Sequence, residues 1–304
     1  MFIRSILYVQ RTYVVSFCLW IALSTVIPQL LTKYGCESDI KARNGRTSTV
    51  LPSSASMVQN STIYFIIAHP DDEVMFFSPS VIEFSKECHN NKVKLLCFSK
   101  GDADSDIMGN IRMRELYESA RILGISQNNV VLIDEFKDGL NENWDTRLIA
   151  EILKSKINDR ASERTVLVTF DQDGVSGHPN HKALYYGVLN YIKLVGGRSH
   201  DTRVLILQSL NFLEKYSSTF LTNVELFVEN ISRLIFSSFL NVKINISFFN
   251  SNYSTQVLKI YSDLNMLSVS YAAMAYGHYS QMVWFRYGWL LLSRYLTYNH
   301  LIEI

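Results

Sequence analysis

Apolar residues fall in two patterns along this chain. Short runs of β-branched and aromatic residues recur, separated by longer stretches with helical spacing. The runs Ile63–Ala68, Lys92–Phe98, Val130–Ile133, Thr165–Phe170 and Val204–Leu207 predict five strands. Helices are expected at about Pro79–His89, Asn110–Leu123, Asp145–Asn158 and Asn180–Leu194, with Gly124 and Gly196 at their stops. Alternation of this kind predicts an α/β fold, an open and mostly parallel sheet with helices on both faces. The pattern weakens after Leu210. Leu234–Phe249 is apolar and rich in β-branched and aromatic residues, and Gln256–Ala275 reads as a helix. Met282–Tyr298 carries Trp284, Phe285, Tyr287, Trp289, Tyr295 and Tyr298, interrupted by Arg286 and Arg294. The arginines favour an amphipathic or core helix there over a second membrane span.

The N-terminal pattern differs. Thr12–Leu31 is 20 residues without a charge, the length of a membrane-crossing helix. A cleaved signal peptide would have a shorter apolar core, although Ala22-Leu23-Ser24 could pass as a cleavage site. Pro28 and the polar stretch behind it speak against a buried core helix. A membrane anchor fits best. Arg4 and Arg11 precede the run, and Lys33, Lys41, Arg43 and Arg46 follow it, which places the bulk of the chain in the cytoplasm. The organisation expected is a short tail (1–11), an anchor (12–31), a linker rich in Ser, Thr, Asn and Gly (32–61) and one folded domain (62–304). Asn60, Asn230, Asn245 and Asn252 open glycosylation sequons, which stay idle in a cytoplasmic domain.

Composition changes this picture little. A hydrophobic content of 48% supports a sizeable core, and a net charge of +1 without a basic tract gives no reason to expect nucleic acid. Cys18, Cys36, Cys88 and Cys97 form no C-x-x-C pair, so a zinc ribbon or redox site is not expected. Cys18 and Cys97 lie in apolar runs and are expected as buried thiols. No G-x-G-x-x-G follows the first strand, which disfavours a dinucleotide site.

The chemistry gathers at two strand ends, where open α/β sheets bind ligands. Ala68-His69-Pro70-Asp71-Asp72-Glu73 follows the first strand. Three carboxylates and an imidazole so close together call for compensation, most simply by a divalent cation. Asp171 through His181, with His178 and His181 separated by two residues, follows the fourth strand. Two histidines and a carboxylate, His69, Asp72 and His181, make a catalytic zinc set with a fourth position for water. Asp71 is then available as base, and His178 as acid or oxyanion stabiliser. The reaction implied is metal-assisted hydrolysis of an amide or ester.

These motifs resemble the LmbE-like, or PIG-L, deacetylase family, with its A-H-P-D-D-E stretch and later H-x-x-H. Gly109–Leu116 resembles the family's G-x-x-R-x-x-E-L helix start, and His278-Tyr279-Ser280-Gln281 its H-x-S-Q stretch. Thr169-Phe170-Asp171, Gly174–His178 and Ser280–Arg286 are most similar to the eukaryotic branch. The resemblance implies a Rossmann-like (LmbE-like) sheet behind one transmembrane helix. It implies removal of acetyl from N-acetylglucosaminyl-phosphatidylinositol (GlcNAc-PI), an early step of GPI-anchor synthesis, at the endoplasmic reticulum membrane with the domain in the cytoplasm. It implies a divalent metal, usually zinc, on His69, Asp72 and His181, with Asp71 as base and His178 at the oxyanion or leaving amine. Arg112 would meet the inositol phosphate. Glu73 would support the site from behind or be a solvated turn residue, and Asp171 and Asp173 would orient the histidine loop, Asp171 from behind the site, or merely solvate it. A deacetylase of a soluble GlcNAc conjugate and a non-catalytic membrane-associated subunit are the competing readings.

Overall fold

The computed structural model describes residues 2–29, 58–103, 105–157, 164–196, 202–228 and 257–304. Most of the expected linker, the sequons at Asn230, Asn245 and Asn252, and the stretch Leu234–Phe249 lie outside the described residues.

Seven strands form one sheet in the order β3-β2-β1-β4-β5-β7-β6. Strands β1 (Ser61–Ile67), β2 (Lys92–Ser99), β3 (Val130–Phe136), β4 (Arg164–Phe170) and β5 (Thr202–Leu207) are the five expected ones, and all pair in parallel. Strand β1 is buried at every position, as a central strand with both faces covered must be. The chain order reverses between β1 and β4. The crevice beyond their carboxyl ends is therefore the topological switch point.

Strands β6 (Val257–Tyr261) and β7 (Tyr298–Glu303) extend the sheet antiparallel to their neighbours. This corrects the helix expected over Gln256–Ala275. Its first part alternates half-buried and buried positions with period two, which is a strand signal. Helix begins only at Leu264, capped by the Asp263 side chain on the Met266 N–H.

Helices α1 (Phe2–Ile21), α2 (Asp72–Met75), α3 (Ser78–Phe84), α4 (Asp106–Ile122), α5 (Thr146–Lys156), α6 (Pro179–Val195), α7 (Phe212–Lys215), α8 (Leu264–Ala272) and α9 (Trp284–Leu292) complete the frame. A further helical stretch covers 220–228. The α4 N-terminus is capped by Ser105, and the 3-10 turn Glu87–His89 ends the stretch expected as one helix from Pro79.

Helix α1 begins well before Thr12. With the π turn Ala22–Val26 it forms a 26-residue apolar helix over Arg4–Gln29, long enough to cross a membrane. The π turn widens the backbone just ahead of Pro28, whose ring would crowd the carbonyl four residues back. Helix α1 is no free tether. Ser16, Trp20 and Leu23 are buried against the domain, while Cys18, expected as a buried thiol, is exposed on the opposite face.

Candidate active site

Both strand-end motifs meet at the switch point. After Ile67 the chain leaves the sheet through Ala68, His69 and Pro70 and turns into α2. Asp72 Oδ2 closes that turn by accepting the N–H groups of Ala68 (3.0 Å) and His69 (2.9 Å). Asp71 sits just before α2 at φ +124°, a backbone region that L residues rarely adopt. Its N–H donates to Glu73 Oε2 at 3.1 Å, and its carbonyl accepts from Met75 at 2.8 Å.

The second motif is held from below. Asp171 Oδ1 accepts from the N–H groups of Asp173 and Gly174 and from Ser209 Oγ, and Oδ2 accepts from the Ser209 N–H. That fixes Gly174, whose carbonyl lies 3.1 Å from His181 Nδ1. Gly174 has φ +59°, and a Cβ there would stand 3.0 Å from the His181 Cβ. Glycine is needed on both counts. Asp171 thus orients the histidine loop, while Asp173 is exposed. The bond to Gly174 places the His181 proton on Nδ1 and leaves Nε2 for a ligand.

The remaining atoms converge. His181 Nε2 lies 3.4 Å from His69 Nδ1 and 3.3 Å from Asp72 Oδ1, and His69 Nδ1 lies 3.7 Å from Asp72 Oδ2. Ligands of a tetrahedral zinc at about 2.05 Å stand about 3.3 Å apart. The His181–His69 and His181–Asp72 Oδ1 approaches match that spacing, whereas Asp72 meets His69 through its other oxygen, Oδ2, which already accepts two N–H groups, at a longer distance. A looser triple, His69, His178 and His181, brings one ring nitrogen each within 4.8 Å. In His178 the Nδ1 is engaged by the Asn180 N–H at 3.3 Å, which leaves Nε2 as its open nitrogen.

The electrostatics agree with separate roles for neighbouring groups. Burial alone would lower the His69 pKa. The bond to Asp138 and the charges of Asp72 and Asp138 outweigh it and raise it to about 9. Burial also opposes charge on Asp72, but His181 and His69 hold its carboxyl below the usual range. Asp71 goes the other way. Burial lifts its pKa, and the neighbouring Asp72 and Glu73 add to the rise against Arg286 and His278. Two adjacent aspartates are pushed apart, one toward permanent anion and one toward a group that can take a proton. His178, lowered to about 4 by burial and by His69 and His181, is neutral at pH 7. Its Nδ1 accepts a hydrogen bond, so its proton sits on Nε2.

Asp138 and the side chain of Asn180 were not singled out from the sequence, and Arg286, His278 and Gln281 were named there only within motifs, without a role. Asp138, in the loop after β3, lies 3.0 Å from His69 Nε2. Asn180 Oδ1 lies 3.1 Å from the same nitrogen. Arg286, at the start of α9, donates to Asp71 Oδ2 at 2.7 Å. His278 pairs with the fully buried Glu73. Gln281 donates to the Pro70 carbonyl at 3.1 Å. Arg112 reaches the Gly101 carbonyl at 2.9 Å and lies 3.8 Å from Asp138, at the edge of the site.

A mostly parallel α/β sheet with an imidazole–carboxylate cluster at its switch point defines the class of fold and site. The comparisons narrow it. The family model PIG-L, GlcNAc-PI de-N-acetylase, matches residues 64–192. A Schizosaccharomyces pombe protein described as a probable N-acetylglucosaminyl-phosphatidylinositol de-N-acetylase is 35% identical over 78% of this chain and 85% of its own length. The Bos taurus N-acetylglucosaminyl-phosphatidylinositol de-N-acetylase is 32% identical over 79% of this chain and 83% of its own. Among solved structures, N,N'-diacetylchitobiose deacetylase from Pyrococcus horikoshii aligns over 80% of this chain and 84% of its own at TM-score 0.46 and 14% identity. The chain belongs to the PIG-L deacetylase family.

Proposed function

We propose that this chain hydrolyses the acetamide of GlcNAc-PI, giving acetate and glucosaminyl-phosphatidylinositol, with a divalent metal, zinc, as cofactor. The observation that carries this reading is the triangle of His69, Asp72 and His181 with Asp71 beside it. His69, Asp72 and His181 hold the metal, which when bound supplies a polarised carbonyl and a water of lowered pKa.

The chain's own residues supply the rest. Asp71 accepts the proton of the attacking water. Arg286 engages its Oδ2, and Oδ1 has no partner among the described residues and is the oxygen left for water. Proton transfer to a placed carboxylate of raised pKa is worth roughly 100- to 10,000-fold in rate. His178 points a neutral Nε2–H at the developing oxyanion, and the same group then lies beside the leaving amine. Arg112 sits where it can meet the inositol phosphate once Asp138 releases it.

The test is release of acetate from GlcNAc-PI by the purified full-length protein. Removal of metal by a chelator abolishes it, and zinc restores it. Turnover of GlcNAc-inositol phosphate with none on the lipid favours the soluble-conjugate reading. Turnover of neither by metal-loaded protein sinks the enzyme assignment.

The site of action proposed is the endoplasmic reticulum membrane. Helix α1 is the anchor, and the folded domain faces the cytoplasm in keeping with the four basic residues after the span. Endoglycosidase treatment of the protein from microsomes is expected to leave its mobility unchanged. A shift at any sequon overturns the orientation.

A further inference from the structure

Helix α1 and the π turn after it are hydrogen-bonded to the domain between Tyr13 and Thr25. Tyr13 Oη donates to the Leu291 carbonyl at 2.6 Å. Ser16 Oγ lies 2.8 Å from Thr219 Oγ1, and Asn223 Nδ2 donates to the Ser16 carbonyl at 2.8 Å. Thr25 Oγ1 accepts from the Leu264 N–H at 3.0 Å. Residues 13–25 cover about 20 Å of helix axis. The undocked residues 4–12 cover only about 13 Å, far short of the roughly 30 Å hydrocarbon core. If α1 enters a bilayer, the domain surface bonded to it must enter too.

Where 220–228 and α9 form that surface, its exposed positions are apolar, while α8 exposes the polar Asn265 and Ser268. In 220–228 the exposed residues are Phe220, Val224 and Phe227, spaced along one helix face. In α9 the exposed residues are Trp284, Phe285, Tyr287, Leu291, Leu292 and Gly288, with no charged residue among them. Trp284 is 85% exposed. A water-facing helix normally carries its charges on that side. Here the single charge of α9, Arg286, is turned inward to Asp71. The face is also graded. Trp284 and Tyr287 lie toward the end of α9 nearest Asp71, and Leu291 and Leu292 toward the end bonded to α1. Trp and Tyr favour the head-group level and Leu the hydrocarbon; Phe285, beside Trp284, is the exposed residue of α9 that departs from this grading.

We propose that the outer faces of α9 and the 220–228 helix are, with α1, a bilayer-embedded surface, and that α9 thereby sets Asp71 at head-group depth. The occupant is phospholipid. Continuity with α1, the one described helix long and apolar enough to cross a membrane, argues for lipid over a protein subunit. The proposal rests on the functional reading above. It adds that the domain approaches the acetamide of a membrane-resident head group from within the interface, with no need to lift the lipid out. Helix α9 is about 13 Å long. It joins the catalytic carboxylate at one end to the α1 contact at the other.

Two measurements on the full-length protein test this. In vesicles of brominated phosphatidylcholine, the fluorescence lost between wild type and Trp284→Phe reports on Trp284. Quenching of that component is expected. An unquenched Trp284 in pure lipid overturns the proposal and leaves a protein subunit as the cover. The double variant Trp284→Glu/Tyr287→Glu then separates embedding from folding. Deacetylation of GlcNAc-PI in vesicles is expected to fall about tenfold or more, with turnover of water-soluble GlcNAc-inositol phosphate unchanged. Equal rates on both substrates, or an equal loss on both, overturn it. If the wild type turns over neither substrate, the functional reading fails, and the quenching result still decides the surface.

Discussion

Replacing Asp71 with Asn is expected to cut acetate release about 100- to 10,000-fold while leaving the bound metal in place. The side chain keeps its size, and the Arg286 contact survives through the amide oxygen, so fold and substrate access are preserved. What is lost is the only carboxylate of the pair whose pKa is pushed upward, by burial and then by its acidic neighbours. Asp72→Asn is expected to behave differently. Asp72 lies against two imidazoles and accepts two backbone N–H groups, so its variant loses metal first and activity as a consequence. Single-turnover assays paired with metal analysis distinguish the two. Near-normal turnover of Asp71→Asn removes it from the role of base. Loss of metal from Asp71→Asn places it among the ligands.

The half of the site built by short-range spacing is legible in the amino-acid sequence. His69 and Asp72 are three residues apart at the end of an uninterrupted apolar run, and His178 and His181 repeat that spacing after the fourth strand. Hydrophobic periodicity places both pairs at strand ends. The five parallel strands are legible for the same reason, since each is an apolar run between helical stretches. Strand β7 is not, because it buries polar residues. Asn299 lies inside it, donating to the Phe76 carbonyl and accepting from Ser80. Such a strand has no hydrophobic run to announce it. Arg286 and His278 are hidden by distance along the chain: each meets the A-H-P-D-D-E motif from more than 200 residues away. Only the H-x-S-Q resemblance hints at that return. The docking of α1 is hidden as well. An uncharged helix reads as an anchor whether or not one stripe of it, here Ser16, Trp20 and Leu23, packs on protein.

Glu73 is where the structure adds most, and its removal is expected to have the largest effect on stability. Its side chain is fully buried. Oε1 accepts from Ser119 Oγ at 2.5 Å and pairs with His278 Nε2, and Oε2 accepts the Asp71 N–H at 3.1 Å. Helices α2 and α4 and the turn after α8 are thus tied through one carboxylate. Glu73→Ala strands three buried donors at once. Breaking a buried pair in this way costs about 3–5 kcal/mol, a fall in Tm of roughly 10 °C for a domain of this size. Glu73→Gln keeps one acceptor oxygen and is expected to lose less. The third bond gives Glu73 a further consequence. It holds Asp71 at φ +124°, a conformation that must be maintained from outside. At temperatures where the variant is still folded, Glu73→Gln should therefore lower kcat more than KM and keep its metal. A Glu73→Ala protein as stable as wild type would show that the network carries little weight. A Glu73→Gln protein with unchanged kcat would show that the Asp71 backbone is held well enough without the carboxylate, by the Val74 and Met75 N–H groups on its carbonyl.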